Sequence, residues 1–144
     1  MKKVLIVYYS LGGNTKAAAE AIAEGVREGG AEPVLKIGLE AGIDDLLNCD
    51  GLVVGSPDYF SYMAGGLKDF FDRTYHPAQG KVNDKPYVAF VTCGGGGKAI
   101  KSVEEMCKKF KLKKIVESLI IQRKPDEVAI EKLKSLGKNF ASKL

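Results

Sequence analysis

The chain is 144 residues long, 45% hydrophobic and 28% charged, with three cysteines and no tryptophan. That suits one domain over residues 1–144 whose core needs no disulfide or metal staple, and it excludes collagen-like, disordered and disulfide-rich classes. The net charge of +4 conceals a division, since residues 1–72 carry six Lys/Arg against eleven Asp/Glu and residues 73–144 carry sixteen against seven.

Val4–Tyr9 is a continuous apolar run, the pattern of a strand buried on both faces of a parallel sheet. It is far shorter than the roughly 20 residues of a membrane span. Lys2 and Lys3 lead into this strand and then glycines rather than a signal-peptide cleavage site, so a cytoplasmic location without membrane contact is expected. Ala18, Ala19, Ile22 and Val26 then share one helix face, which Gly29-Gly30 ends. Ala31–Ile37 reads as a second strand, its Pro33 suiting an edge position. A third strand, Asp50–Ser56, runs into Gly55-Ser56-Pro57, and Leu67, Phe70 and Phe71 mark the inner face of the next helix. Pro77 to Pro86 reads as a polar connector, and Pro86–Thr92 as a fourth strand closed by Cys93 and four glycines. Ile100, Val103, Cys107 and Phe110 line another helix, and Ile115–Ile121 makes a fifth strand. Pro125 opens the last helix, with Asp126 and Glu127 in its first turn and Ala129, Leu133, Leu136 and Phe140 facing inward. Strands separated by single helices imply right-handed crossovers and a doubly wound, five-stranded parallel α/β sheet.

Several chemistries are disfavoured. Cys49, Cys93 and Cys107 form no C-x-x-C pair, so neither a disulfide framework nor a metal site is expected. His76, the only histidine, follows a helix and reads as a surface or capping residue. The basic half is nearly all lysine, with Phe110 the one aromatic between Lys98 and Lys114. Nucleic-acid surfaces favour arginine and stacking aromatics, so this stretch reads as a solvated helix face and no nucleic-acid partner is expected.

In open α/β sheets, ligands sit beyond the carboxyl ends of the strands, where the strand order reverses. The loops after the first, third and fourth strands therefore carry the functional expectation. Ser10-Leu11-Gly12-Gly13-Asn14-Thr15 offers hydroxyls, an amide side chain and closely approachable backbone N–H groups ahead of a helix N-terminus. Such a loop can hold a terminal phosphate with neutral donors; an ordinary capped strand–helix turn would use the same residues. It is neither a Walker A loop nor G-x-G-x-x-G, and the match of Gly94, Gly96 and Ala99 to that spacing comes almost free from four consecutive glycines.

Together the three loops resemble the flavodoxin family, over essentially the whole chain. The first loop is similar to the family's hydroxyl-x-[ST]-G-[NT]-T, with glycine at 12 in place of a third hydroxyl. Gly55–Met63 resembles the G-[ST]-P-x-Y-x segment beside the flavin ring, and Leu67-Lys68-Asp69-Phe70-Phe71-Asp72-Arg73 resembles a helix of the flavodoxin-like quinone and flavin reductases. The resemblance implies a strand order 2-1-3-4-5 and FMN as cofactor. The phosphate would lie on Ser10, Leu11, Gly12, Gly13, Asn14 and Thr15. The ring would lie between Ser56, Pro57, Asp58, Tyr59 and Phe60 on one side and Cys93, Gly94, Gly95 and Gly96 on the other. Tyr59 is the expected stacking residue. No tyrosine in the glycine loop covers the outer face of the ring, which is therefore expected to be open. Phe60 stands near a glycine of flavodoxins whose peptide turns over on reduction. Phenylalanine raises the cost of a positive φ by about 1–2 kcal/mol, which implies weaker stabilisation of the one-electron-reduced flavin.

Two families of the same topology do not match. Response-regulator receivers need acidic residues after the first strand and an aspartate ending the third, where this chain has Tyr-Ser and Gly-Ser-Pro. Low-molecular-weight phosphatases need C-x-x-x-x-x-R, but Gly55, Ala99 and Lys113 stand six residues after the three cysteines. The first functional expectation is thus a flavodoxin-type carrier, a monomer or weak homodimer, that shuttles electrons between redox partner proteins. The alternative is an FMN-dependent NAD(P)H:quinone or flavin oxidoreductase. The basic balance is unusual for a flavodoxin and implies either different partners or docking through the acidic half.

Overall fold

In the computed structural model, which describes residues 1–144, β1 (Lys3–Tyr8) lies between β2 (Glu32–Ile37) and β3 (Gly51–Tyr59), parallel to both. β3 pairs in parallel with β5 (Pro86–Cys93) on its other side. β6 (Lys113–Lys114) and β7 (Leu119–Gln122) both pair in parallel with β5. With β6 and β7 sharing the outermost position, the order is β2-β1-β3-β5 and then this pair, the five positions expected.

The central strands are buried on both faces because their alternate residues feed two cores. Leu5, Val7, Leu52, Val54 and Ala89 pack against Leu67, Phe70 and Phe71 of α3 (Gly65–Ala78) and Val103 and Cys107 of α4 (Ala99–Lys109). Val4, Ile6, Val53, Val88 and Phe90 pack on the opposite face against Ile22 and Val26 of α1 (Asn14–Glu28) and Leu133 and Phe140 of α5 (Glu127–Ser142). The remaining helix, α2 (Ile43–Asn48), buries Leu46 in the first core, and the Gly42 amide donates to Asp45 Oδ2 at 2.9 Å at its start. The three cysteines are buried and free, and no helix is long and apolar enough to cross a membrane.

Most element ends follow local chemistry. α1 stops at Gly30, which takes φ 88° while the Gly30 and Ala31 amides donate to the Arg27 and Val26 carbonyls. α5 begins two residues after Pro125, because the Asp126 side chain caps it by accepting from the Ala129 amide at 2.8 Å. α3 runs through Pro77 to Ala78, so the connector starts later than the sequence suggests. The fifth strand is broken: between β6 and β7 the Ala89 amide donates to Ser118 Oγ at 3.3 Å instead of to a backbone carbonyl. The Ser118 hydroxyl is in turn held by Glu104 Oε2 at 2.8 Å, and the same carboxylate oxygen pairs with Lys114 at 2.8 Å. One further strand, β4 (Tyr62–Met63), folds back antiparallel on the end of β3.

α1 and α5 touch backbone to backbone. A Cβ at Gly25 would overlap the Lys134 carbonyl oxygen, and one at Gly137 would overlap the Ile22 carbonyl. Glycine inside a helix costs about 1 kcal/mol relative to alanine, and close helix approach offsets that cost here. Gly25→Ala should therefore destabilise the protein by about 1–3 kcal/mol despite its better helix propensity. Urea unfolding measures this, and a stabilised variant would contradict the packing described.

Candidate functional site

The carboxyl ends of β1, β3, β5 and β7 open on one cleft of about 370 Å³. Its lining comes from Ser10, Leu11, Gly12, Asn14 and Thr15 after β1, Pro57, Asp58 and Tyr59 of β3, Thr92, Cys93 and Gly94 at the end of β5, and Arg123 after β7. A wider groove of about 660 Å³ runs along α5. It is built from helix side chains such as Glu127, Val128 and Lys132 and lacks the glycine loops and strand ends of the cleft.

In the first loop, Ser10 Oγ accepts from the Gly13 amide at 3.1 Å and the Lys16 amide at 3.2 Å. It thus acts as a cap for α1, whose N-cap residue Gly13 (φ 101°) has no side chain to offer. The amides of Asn14 and Thr15, as first-turn groups, have no acceptor within the helix and remain as donors with the positive end of the dipole behind them. The Thr15 hydroxyl is buried and shares a 2.7 Å hydrogen bond with the Thr92 hydroxyl, which fastens the start of α1 to the end of β5.

The second loop is a hairpin. Tyr59 faces Tyr62 across a two-residue turn in which Phe60 and Ser61 take φ 57° and 65°. This is the type I′ arrangement usually filled by Asn-Gly. Three side chains hold it. Asp58 Oδ1 accepts from the Ser61 amide at 2.8 Å and Oδ2 from the Ala99 amide at 3.2 Å, tying the turn to the start of α4. Buried Ser56 donates to the Pro57 carbonyl and accepts from the Ala64 amide at 2.9 Å. The Met63 amide donates to Ser102 Oγ at 3.0 Å. The positive φ that phenylalanine was expected to resist is therefore already present in the hairpin. Its cost, about 1–2 kcal/mol, is carried by the folded protein before any reduction. The Phe60 side chain is fully exposed, while burial, and then neighbouring Tyr9, push the Tyr59 phenol above its ordinary value.

In the third loop the Cys93 thiol donates to the Gly95 carbonyl at 3.3 Å, and Gln122 Nε2 donates to the same oxygen at 3.0 Å. Burial pushes the Cys93 thiol up, partly opposed by its bond to Gly95, a direction that disfavours the thiolate. Gly94, Gly95 and Gly96 have open space where a side chain would be.

Ten of the fifteen residues expected from sequence line the cleft. Gly13 shapes the first loop from behind, Ser56 is a buried brace, Phe60 stands on the rim, and Gly95 and Gly96 lie beyond the lining. Thr92 and Arg123 are additional. Arg123 was discoverable from topology, because the fifth parallel strand must also deliver its carboxyl end to this side of the sheet.

These loops on this strand order define a flavodoxin-like protein. Residues 36–116 match the family model described as NADPH-dependent FMN reductase, and the chain belongs to that family. Among curated proteins, a flavodoxin of Aquifex aeolicus is 42% identical over 67% of this chain and 53% of its own length. An NAD(P)H dehydrogenase (quinone) of Rhodopseudomonas palustris is 34% identical over 64% of this chain and 57% of its own. The chain thus spans about half the length of the curated relatives it matches. Among solved structures, a flavodoxin from the domain Archaea superposes with a TM-score of 0.90 at 28% identity, covering 98% of this chain and 97% of that one. Oxidised flavodoxin 2 from Bacillus cereus does so with 0.86 at 26%, covering 99% of both.

The family and these flavodoxins imply FMN as the cofactor. The donor set fits it: free first-turn amides for a phosphate, an aromatic side chain at the wall, and glycines open to close approach. Among the ionisable lining groups, the Asp58 carboxylate has each oxygen engaged by an amide.

The Thr15–Thr92 pair can be tested directly. Either Thr→Val change alone should cost about 1–3 kcal/mol, because it leaves one buried hydroxyl unsatisfied. The double variant should lose clearly less than the sum of the two, as urea unfolding can measure; strict additivity would contradict a shared bond.

Proposed function

We propose that residues 1–144 act as one FMN-binding unit that carries electrons between redox partner proteins. Ser10, Leu11, Gly12, Gly13, Asn14 and Thr15 would hold the phosphate end, with Ser10 setting the loop and the Asn14 and Thr15 amides as donors. The Ser56–Phe60 segment, with Tyr59 as its aromatic group, and the Cys93–Gly96 loop, with its approachable amides, would hold the ring. When bound, FMN supplies reversible one- and two-electron chemistry; the protein supplies its position and electrostatics. Ser56, Asp58 and Ser102 keep the hairpin wall in place, and the first-loop donors orient the cofactor without needing a side-chain charge of their own.

One observation carries the carrier reading. Around the cleft mouth stand Leu11, Phe60 and Tyr62, exposed by 77%, 103% and 45%. Large exposed apolar groups, two of them on the hairpin, suit contact with a passing partner. End-to-end similarity to flavodoxins of the same length supports the same reading. A cytoplasmic protein that is monomeric or weakly dimeric would meet such partners freely. The second reading, an FMN-dependent NAD(P)H:quinone or flavin oxidoreductase, is favoured by the family model over residues 36–116 and by the Rhodopseudomonas palustris relative. On that reading the same open mouth admits a small hydride donor.

The purified protein, reconstituted with FMN, should be reduced stepwise without oxygen while its absorption spectrum is followed. The carrier reading expects a bound flavin whose spectrum passes through a distinct one-electron stage, with NADPH oxidised slowly or not at all. A single two-electron transition with rapid NADPH oxidation would replace it by the reductase reading. Absence of any bound-flavin spectrum would overturn both.

A further inference from the structure

The far ends of α3 and α4 enclose a second recess, of about 180 Å³, beside the amino end of β5. Tyr75 lies ten residues along α3 from Gly65, about 15 Å at 1.5 Å per residue, and the recess shares no residue with the cleft. Ala78, Val82 and Phe110 make its lining apolar, and the Tyr75 ring stands edge-on to Phe110 with centroids 5.2 Å apart. A neighbouring recess of about 330 Å³ also has Tyr75 and Lys109 in its wall, so the two form one groove between the helices. Backbone bonds tie its sides together. The Asp84 amide donates to the Lys111 carbonyl at 2.8 Å, and the Lys113 amide to the Lys85 carbonyl at 3.0 Å. The segments that follow α3 and α4 therefore keep their spacing, and a preformed groove costs little ordering to fill.

The charge around it has one sign. Lys109 and Lys111 line the smaller recess and no acid does. Lys81 and Lys108 are exposed next to it in sequence, and none of the four lysines takes part in an ion pair. Asp84 is exposed, stands outside the lining and pairs with none of them. Asp72, in the larger recess, is already engaged by Lys68 at 2.6 Å. Lys108 and Lys109 complement the dipole of α4, but Lys81 and Lys111 lie beyond the ends of both helices, so helix stabilisation does not account for the cluster.

Size narrows the occupant. A cavity of about 150 Å³ holds a benzene-sized group, whereas pockets for whole small ligands run to about 300–1,000 Å³. The smaller recess thus suits a single apolar side chain, and Gln79 and Asn83 in its lining can hydrogen-bond a peptide backbone. We propose that this groove docks an acidic segment of a partner protein, with one phenylalanine or leucine side chain entering beside Tyr75 and the flanking carboxylates meeting the four lysines. A partner held there leaves the cleft mouth free, so groove and cleft can be occupied together.

The test follows backbone amide resonances of the full chain during titration with a blocked pentapeptide of four glutamates around a central phenylalanine. Shifts should concentrate at Tyr75, Gln79, Asn83, Lys109 and Lys111, with half-saturation at about 1 mM or below. Alanine in place of the phenylalanine should bind several times more weakly, and lysines in place of the glutamates should abolish binding. Lys109→Glu should weaken the glutamate peptide about five- to tenfold, as reversal of an exposed charge does, and the deficit should shrink at high salt. Lys138→Glu, the same charge change on α5, should leave it unchanged. No shifts at the groove, equal binding of the alanine peptide, or equal losses in the two variants would overturn the proposal. So would an oligothymidylate that shifts the same residues at lower concentration than the peptide, which would make the groove a nucleic-acid surface.

Discussion

Everything at the cleft depends on one constraint: β3 lies between β1 and β5 and runs parallel to both. That pairing brings the ends of three buried strands to one side and leaves a gap where the chain has moved from one side of β1 to the other. Register then decides which residues meet there. Tyr8 pairs with Gly55 and Pro57 with Thr92, so the first loop, the hairpin and the glycine loop start at nearly one level. Close packing keeps that level fixed, since a Cβ at Gly55 would enter the Phe90 ring and one at Gly66 would enter the Tyr9 ring. The Thr15–Thr92 bond closes the arrangement by joining α1 directly to β5.

On this frame the hairpin holds two strained residues in succession. Two successive non-glycine residues at positive φ store about 1–2 kcal/mol each, and they persist because Asp58, Ser56 and Ser102 hold the surrounding backbone. The strain keeps Phe60 outward and Tyr59 at the cleft wall. Asp58 also links this wall to the first residue of α4, so hairpin and glycine loop are positioned by the same carboxylate. Lys113 and Lys114 on the short outer strand discourage edge pairing with another chain.

The strand order and the three loops were legible because each buried strand is an uninterrupted apolar run ending in glycine, serine or proline. What sequence misplaced has local causes. Pro125 looked like the first residue of α5, but the Asp126 carboxylate serves the cap and moves the start along. Ile115–Ile121 looked continuous, yet Ser118 replaces a backbone acceptor in its middle. β4 was invisible because its turn carries Phe60-Ser61 where a hairpin signal needs Asn-Gly. Within the site, Ser56 was expected beside the ring and its buried side chain braces the hairpin, a distinction set by side-chain direction and not by residue type. Arg123 belongs to no motif that would mark it in sequence, although parallel topology places the end of the fifth strand beside the glycine loop.

The central claim, that this cleft and not the α5 groove is the flavin site, is tested most directly by following backbone amide resonances as FMN is added to the flavin-free protein. The account predicts the largest shifts at residues 11–16, 58–62, 94–97 and 123, with Val128, Glu131 and Ser135 unmoved. Shifts concentrated along α5, or spread evenly over the chain, would contradict it.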